Sequence, residues 1–175
     1  MSAVTNALRV NASDLLRRPG SEKVFDLTVA LSELEIDDPE RFADGAQVDV
    51  HLRLESLTDG IVVDGRLLVP WHGICRRCLA ETGGVLECEV NELYQRTLTD
   101  PEAFELEGDQ LDLRPVVREL VLLDTPSTPL CRPDCAGLCA TCGINRNDAL
   151  CACEQLLADP RWEGLSGLRD RLPPD

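Results

Sequence analysis

Nine cysteines are the chemically most informative residues of this 175-residue sequence. Six of them lie in CRPDCAGLCATCGINRNDALCAC, residues 131–153, and two more form a Cys-x-x-Cys pair at 75–78. Cysteines at such paired spacings are typical of tetrahedral sites in which thiolates bind Zn²⁺. Eight sulfurs are what two four-cysteine sites need, so the sequence predicts two zinc ions held by Cys75, Cys78, Cys131, Cys135, Cys139, Cys142, Cys151 and Cys153.

The spacing alone leaves open which cysteines share a metal, and other chemistries use the same residues. Tetrahedral sulfur coordination suits iron as well as zinc. A Cys-x-x-Cys pair is also the motif of thiol–disulfide exchange, but there it begins a helix after a strand. Cys75 and Cys78 lie between two predicted β-segments instead. A cysteine-based redox or metal sensor is therefore the alternative to a protein with structural zinc.

The strongest local unit of the cysteine-rich run is Gly-Leu-Cys-Ala-Thr-Cys-Gly at 137–143. A glycine after the second cysteine lets the chain turn so that backbone N–H groups point at a thiolate sulfur. Four thiolates leave each zinc site with a charge of about −2, which nearby cations can offset. The sequence offers four arginines for this role, Arg76, Arg77, Arg132 and Arg146.

The remaining candidates for chemistry have simpler interpretations. Cys88 shares a predicted apolar strand face with Leu86 and Val90, so it is expected in the core. His51 and His72 are both expected to be surface residues, although His72 is close enough to Cys75 to replace a cysteine ligand. The sequence has no Ser–His–Asp order, phosphate-binding glycine loop or recognisable carboxylate pair, so no enzyme is predicted.

The elements that position the cysteines are predicted to be mainly β-strands. Residues 47–57 alternate apolar and polar side chains, as a half-buried strand does. A long β-segment at 61–74 and a third at 85–93 complete a meander, so the Cys-x-x-Cys pair lies at a hairpin tip. Asp64-Gly65 is interpreted as a bulge in the second segment, and residues 24–31 as a further strand.

Helical periodicity appears in residues 112–124, with Asp112 as a candidate N-cap and Pro115 in the first turn. The sequence also predicts a short helix within 9–20, capped by Ser13 or Asp14. The segments 35–45 and 97–110 are interpreted as loops, and a tail helix is expected around Trp162–Leu168.

These elements predict an α+β fold in which an antiparallel β meander packs one helix. A C-terminal cysteine cluster resembling a zinc ribbon would be clamped to the central hairpin. The expected organisation is a core at 1–126, a zinc-binding element docked on it at 127–155, and a tail at 156–175.

Composition restricts the partners and the compartment. The formal charge is −15 with a pI near 4.4, which excludes a general binder of the phosphate backbone. A local basic patch or a basic protein partner remains compatible with it. The sequence starts without a secretory signal and contains no apolar run long enough for a membrane span, so a cytoplasmic protein is expected. Thiols stay reduced there, which favours metal sites over disulfides.

The sequence combines the motifs LLRRPG, CRRC at 75–78, PVVRELVLLDTPSTPLC, and CRPDCAGLCATCGINRN followed by CAC. Together these motifs resemble the YceD family, the large ribosomal RNA subunit accumulation proteins. The resemblance runs from about Leu8 to Trp162. Ala140 stands where the family usually has proline, and Arg146 where it usually has leucine. The most specific matches are Gly137, Leu138, Cys139, Cys142, Gly143, Asn145 and Asn147.

The resemblance implies a non-enzymatic role in the accumulation of large-subunit (23S) ribosomal RNA, hence in ribosome biogenesis. The implied partner is the large-subunit precursor, with no membrane and no small-molecule substrate. Contact would be with ribosomal RNA through arginines such as Arg17, Arg18, Arg76 and Arg77, or with a basic ribosomal protein. Not every family member has the C-terminal cysteine cluster, so the metal can serve stability rather than the shared function.

Overall fold

A computed structural model of the chain describes residues 7–153 and Arg161. A mostly antiparallel sheet and one main helix form the core, which confirms the α+β fold class. In chain order the elements are β1 (Arg9–Asn11), α1 (Ser13–Leu16), β2 (Glu22–Ala30), a 3₁₀ helix (Leu31–Leu34), β3 (Gln47–Ser56), β4 (Gly60–Ile74), β5 (Glu81–Gln95), β6 (Phe104–Glu105), β7 (Gln110–Asp112) and α2 (Arg114–Asp124).

The main sheet has five strands in the order β2-β3-β4-β5-β6, and β1 pairs with β7 in a separate two-stranded sheet. All pairs are antiparallel except β5 with β6. Alternation along the strands gives the main sheet one buried face, to which Val48, Val50 and Leu52 of β3 contribute. Val117 and Val121 of α2 belong to the same core. Burial of each such side chain stabilises the fold by about 1.5–3 kcal/mol.

The β4–β5 hairpin positions the first cysteine pair. Each strand has 15 residues, and their pairing runs without interruption from Gly60 opposite Gln95 to Ile74 opposite Glu81. At about 3.4 Å per residue the hairpin is about 50 Å long. Residues 75–80 form its tip, as the sequence predicted.

The predicted bulge at Asp64-Gly65 is wrong. Both residues pair in register with β3 on one side and with β5 on the other. Gly65 adopts a φ of 152°, and a Cβ atom there would overlap the carbonyl oxygen of His51. The glycine is therefore needed because the two strand backbones approach closely there, and the strand contains no extra, unpaired residue at this point.

Three smaller expectations also differ from the structure. The predicted loop at 97–110 contains β6 and the first residue of β7. The N-cap of α1 is Ala12, and that of α2 is Leu113, neither with a side-chain cap. Asp112 nevertheless accepts a hydrogen bond from the Arg114 backbone N–H at 3.1 Å.

The helix expected around Trp162–Leu168 lies outside the described residues. In the part of the chain that the structure describes, no helix has the length and apolar character needed to cross a membrane.

Candidate metal centre

The structure brings eight cysteines together in two groups of four. Cluster 1 consists of Cys75 and Cys78 from the hairpin tip with Cys131 and Cys135. Their four sulfur atoms all lie within 4.8 Å of one another, with 3.8 Å from Cys75 to Cys135 and 3.6 Å from Cys78 to Cys131. Zn–S bonds of about 2.3 Å in a tetrahedron separate the sulfurs by about 3.8 Å. The spacing fits one ion, and it is far longer than the ~2.05 Å of a disulfide.

Cluster 2 lies entirely within the cysteine element, which we define as residues 127–153. Its sulfurs also lie within 4.8 Å of one another, and they belong to Cys139, Cys142, Cys151 and Cys153. Both clusters could hold a metal ion. The sequence left open which cysteines share a cluster. In the structure, cluster 1 takes two cysteines from the hairpin tip and two from the cysteine element, whereas cluster 2 takes all four from the cysteine element.

Each cluster begins with a knuckle of the same backbone design. In cluster 1 the Leu79 N–H donates to the Cys75 carbonyl at 2.9 Å, and in cluster 2 the Gly143 N–H donates to the Cys139 carbonyl at 2.9 Å. The residue after the second cysteine has positive φ in both, 59° at Leu79 and 74° at Gly143. The glycine in this position was noticed in the sequence, whereas leucine gives no such signal because it rarely adopts this conformation.

Hydrogen bonds hold the cysteine element against the hairpin tip. The Arg76 N–H donates to the Pro129 carbonyl, and the Leu138 N–H donates to the Arg77 carbonyl, both at 3.0 Å. The Arg77 guanidinium donates to the carbonyls of Cys135 at 3.0 Å and Pro133 at 3.4 Å. These bonds tie together residues more than fifty positions apart, so Arg77 has a structural contact that the sequence did not reveal.

Backbone N–H groups favour the thiolate form of one cysteine in each knuckle. The N–H groups of Cys131 and Cys78 lower the pKa of Cys75 to about 6. Those of Cys142 and Thr141 lower the pKa of Cys139 to about 6. Because the thiolate is the form that binds metal, one cysteine in each cluster is prepared for binding, and the sulfur donor set suits a soft metal ion. The pKa is raised to about 12 at Cys131, chiefly by burial, and at Cys153, chiefly by its contact with Cys142.

At Cys135 burial is the largest influence and opposes ionisation, but several hydrogen bonds together outweigh it. The Asn147 amide donates to Cys135 Sγ at 3.3 Å, and with the Gly137 N–H and the thiols of Cys131 and Cys78 it leaves the Cys135 pKa below its ordinary value. In the sequence Asn147 stands out only as a match to the family pattern, which predicts no role for it. The Asn-x-Asn pattern after the knuckle is the one signal in the sequence that points to it.

The other candidates lie outside the clusters. Cys88 is 1% exposed in the core, and burial raises the pKa of its thiol to about 12, as expected for a structural residue. His51 Nδ1 lies 2.7 Å from Asp26 Oδ1 on the solvent side of the sheet. His72 Nε2 lies 3.1 Å from the Pro39 carbonyl oxygen rather than in cluster 1.

The fold and these clusters define a class of protein: an α+β sheet protein whose central hairpin is joined to a C-terminal element by cysteines. Residues 63–169 match the family model described as "Large ribosomal RNA subunit accumulation protein YceD". The chain belongs to the YceD family, which confirms the resemblance seen in the sequence.

Relatives in other organisms extend this match. An uncharacterized protein of Mycobacterium tuberculosis is 32% identical over 178 residues, covering 93% of this chain and 81% of the relative. The large ribosomal RNA subunit accumulation protein YCED homolog 1, chloroplastic, of Arabidopsis thaliana is 32% identical over 69 residues, 39% of this chain and 22% of that protein. The protein of the same name in Zea mays is 30% identical over 89 residues, 50% of this chain and 29% of that protein. No solved structure matches the chain significantly.

Proposed function

We propose that this protein is a non-enzymatic ribosome biogenesis factor that supports accumulation of large-subunit (23S) ribosomal RNA. The observation that carries the proposal is the family match, since the matching family and the plant relatives are both named for large ribosomal RNA subunit accumulation. The match to the maize relative covers 50% of this chain.

We infer that the two clusters bind zinc and that this zinc stabilises the fold. Each cluster offers four sulfurs, which would occupy all four positions of a tetrahedral zinc ion and leave none for water or substrate. Closed sites of this kind are structural, and their binding energy becomes folding energy. The ligands would be the eight cysteines of clusters 1 and 2, and the docked unit would be the predicted zinc-binding element at 127–155.

The solvent face of the main sheet supports a basic ribosomal protein as the partner. Strand register places eight carboxylates of β2–β5 on this face against two arginines, Arg53 and Arg66. Arg53 is shared among Glu22, Glu55 and Asp64 at 3.4–3.7 Å, so the face stays acidic. Complementary charge steers association with a basic partner. The carboxylates are Glu22, Asp26, Asp49, Glu55, Asp64, Glu81, Glu87 and Glu89.

Direct contact with ribosomal RNA would use exposed arginines whose side chains do not hold the hairpin tip and the cysteine element together. Arg77 is bonded to the cysteine element, and Arg76 Nη1 donates to Thr128 Oγ1 at 3.3 Å. Arg17 and Arg18 are exposed, and the ion pair from Arg17 to Asp14 is long, at 3.7 Å. These two arginines are therefore better placed for phosphate than the arginines of the hairpin tip.

Removal of the protein from its host tests the proposal. We expect 23S RNA to fall relative to 16S RNA in a strain without the gene, and to recover with the wild-type chain or with Cys88→Ala. The double variant Cys75→Ser/Cys78→Ser should fail to restore it. Normal 23S RNA in the deletion strain would contradict the proposed function.

A cysteine-based redox or metal sensor is the second candidate, and the exposure of cluster 2 favours it. Cys142 is exposed, and Cys139 ionises readily. Exposed thiolates react with oxidants. Native mass spectrometry separates the two functions. Two bound ions that survive mild peroxide support structural zinc, whereas a metal-free dithiol that cycles with reductant supports the sensor.

A further inference from the structure

Asn147 links the two clusters physically. It belongs to the segment between Cys142 and Cys151 of cluster 2, yet its side chain reaches cluster 1. Its Nδ2 donates to the Sγ of Cys135 at 3.3 Å. An N–H donor aimed at a ligand sulfur stabilises the thiolate and fixes its orientation. The loop of one cluster therefore supplies a supporting contact to the other.

All of the hydrogen-bonding capacity of the Asn147 amide is used. Its second Nδ2 hydrogen is donated to Asn145 Oδ1 at 2.7 Å. Its Oδ1 accepts from the Ala136 backbone N–H and from Arg132 Nη2, each at 2.8 Å. A carboxamide has two N–H bonds and two acceptor lone pairs, so the network determines its orientation. Exchanging O and N would place an acceptor against the thiolate and donors against the Ala136 N–H.

The position of Asn147 depends on the loop that cluster 2 closes. Cys142 and Cys151 flank residues 143–150, so one ion bound to both would tie the ends of this loop together. Two backbone contacts place this loop beside Cys135. The Arg146 N–H donates a hydrogen bond to the Gly137 carbonyl at 2.9 Å, and Leu138 forms a β-bridge with Asn145. An ordered loop presents the amide to the sulfur, and a disordered loop loses this contact.

We propose that clusters 1 and 2 bind metal cooperatively, and that Asn147 is the positioning residue that couples them. An ion in cluster 2 orders the 143–150 loop and thereby raises the affinity of cluster 1. By thermodynamic reciprocity an ion in cluster 1 raises the affinity of cluster 2 by the same factor. The inference rests on the metal binding proposed above, but it does not depend on the ribosomal role.

Titration of the full metal-free chain with Co²⁺ tests the coupling, with native mass spectrometry counting the ions per molecule. Two independent sites leave at least about one half of the molecules with a single ion at half saturation, so a smaller share demonstrates cooperativity. We expect the wild-type share to lie below this value. A wild-type share at or above it, together with an unchanged affinity of cluster 1 when cluster 2 is removed, would overturn the proposal.

Asn147→Asp assigns the coupling to the amide, because a carboxylate still accepts from Ala136 and Arg132 but cannot donate to Cys135. We expect single-ion molecules to rise above about one half and the affinity for the second ion to fall about tenfold. Asn91→Asp, the same charge change at an exposed position of β5, should leave the wild-type distribution unchanged. An identical distribution in wild type and Asn147→Asp would overturn the role of Asn147.

A second variant keeps Asn147 and removes cluster 2. Cys139→Ser/Cys142→Ser should lower the Co²⁺ affinity of cluster 1 about tenfold, with far-UV circular dichroism verifying that the sheet is intact. Unchanged affinity would contradict the coupling alone. A wild-type chain that binds no Co²⁺ would contradict the metal sites as well, which separates the two failures.

Discussion

Clusters 1 and 2 offer the same four thiols but are built in different ways. Cluster 1 joins residues up to 60 positions apart, and three of its four cysteines are buried. Cluster 2 takes its sulfurs from residues 139–153, and none of them is buried. An ion in cluster 1 would close a long loop and cross-link two parts of the fold, whereas one in cluster 2 would order a short surface segment. Four-thiol metal binding would thus dock the cysteine element on the hairpin at cluster 1 and order a surface segment at cluster 2.

The largest expected difference is in stability. Cys75→Ser/Cys78→Ser should lower the free energy of unfolding by about 3 kcal/mol or more, which is roughly 10 °C in Tm, because the hairpin loses its cross-link. The matched variant Cys139→Ser/Cys142→Ser should cost less than about 1.5 kcal/mol. Thermal unfolding followed by circular dichroism measures both, and equal losses would remove the distinction between the clusters.

Release of metal should separate the clusters in time. A chelator reaches exposed ligands first, so zinc should leave cluster 2 about tenfold faster or more than cluster 1. Cluster 1 stays protected by the bonds between the hairpin tip and the cysteine element. Zinc transfer to a colorimetric chelator should therefore show two phases, one equivalent in each. Slow release of both ions in one phase would argue against a more accessible cluster 2.

Arg77 and Arg146 offer a smaller contrast. Arg77→Ala removes two bonds from the guanidinium to carbonyls of the cysteine element, so we expect a loss of about 1 kcal/mol in the free energy of unfolding. Arg146 is an exposed arginine in the loop between Cys142 and Cys151, and its replacement by alanine should change the free energy of unfolding by less than about 0.5 kcal/mol. Urea denaturation compares the two, and equal effects would show that the contacts of Arg77 contribute nothing to docking.

The smallest expected effects concern the two knuckles. Leu79→Gly should leave stability unchanged or raise it by up to about 1 kcal/mol, because it relieves a positive φ that costs leucine about 1–2 kcal/mol. Gly143→Ala should lower stability by about 1 kcal/mol for the same reason. A marked loss of stability in Leu79→Gly would show that contacts of the exposed leucine side chain stabilise the fold by more than its positive φ destabilises it.

Residue patterns were enough to predict the elements with a clear period. Strand β3 and helix α2 repeat apolar residues often enough to define their buried faces. Strands β1, β6 and β7 have two or three residues each, which is too short for a period. Asp64-Gly65 resembled a turn signal, but its glycine is needed for contact with the neighbouring strand, which only the sheet register reveals.

The candidate site divides in the same way. The spacing of the cysteines predicted the eight sulfurs that the fold gathers into two groups and left Cys88 out, because paired cysteines and a lone apolar-face cysteine differ in sequence. It could not group them, since several choices satisfy the count of four. The contact of Asn147 with Cys135 was also inaccessible, because it crosses from one cluster to the other through folding of the chain.

Metal stoichiometry tests the central claim most directly. With zinc above both dissociation constants, native mass spectrometry should find two ions on the wild-type chain and on Cys88→Ala. It should find one ion on Cys75→Ser/Cys78→Ser and one on Cys139→Ser/Cys142→Ser, because each pair belongs to a different cluster. Two ions retained by either double variant, or a wild-type chain with disulfides in place of zinc, would contradict the account.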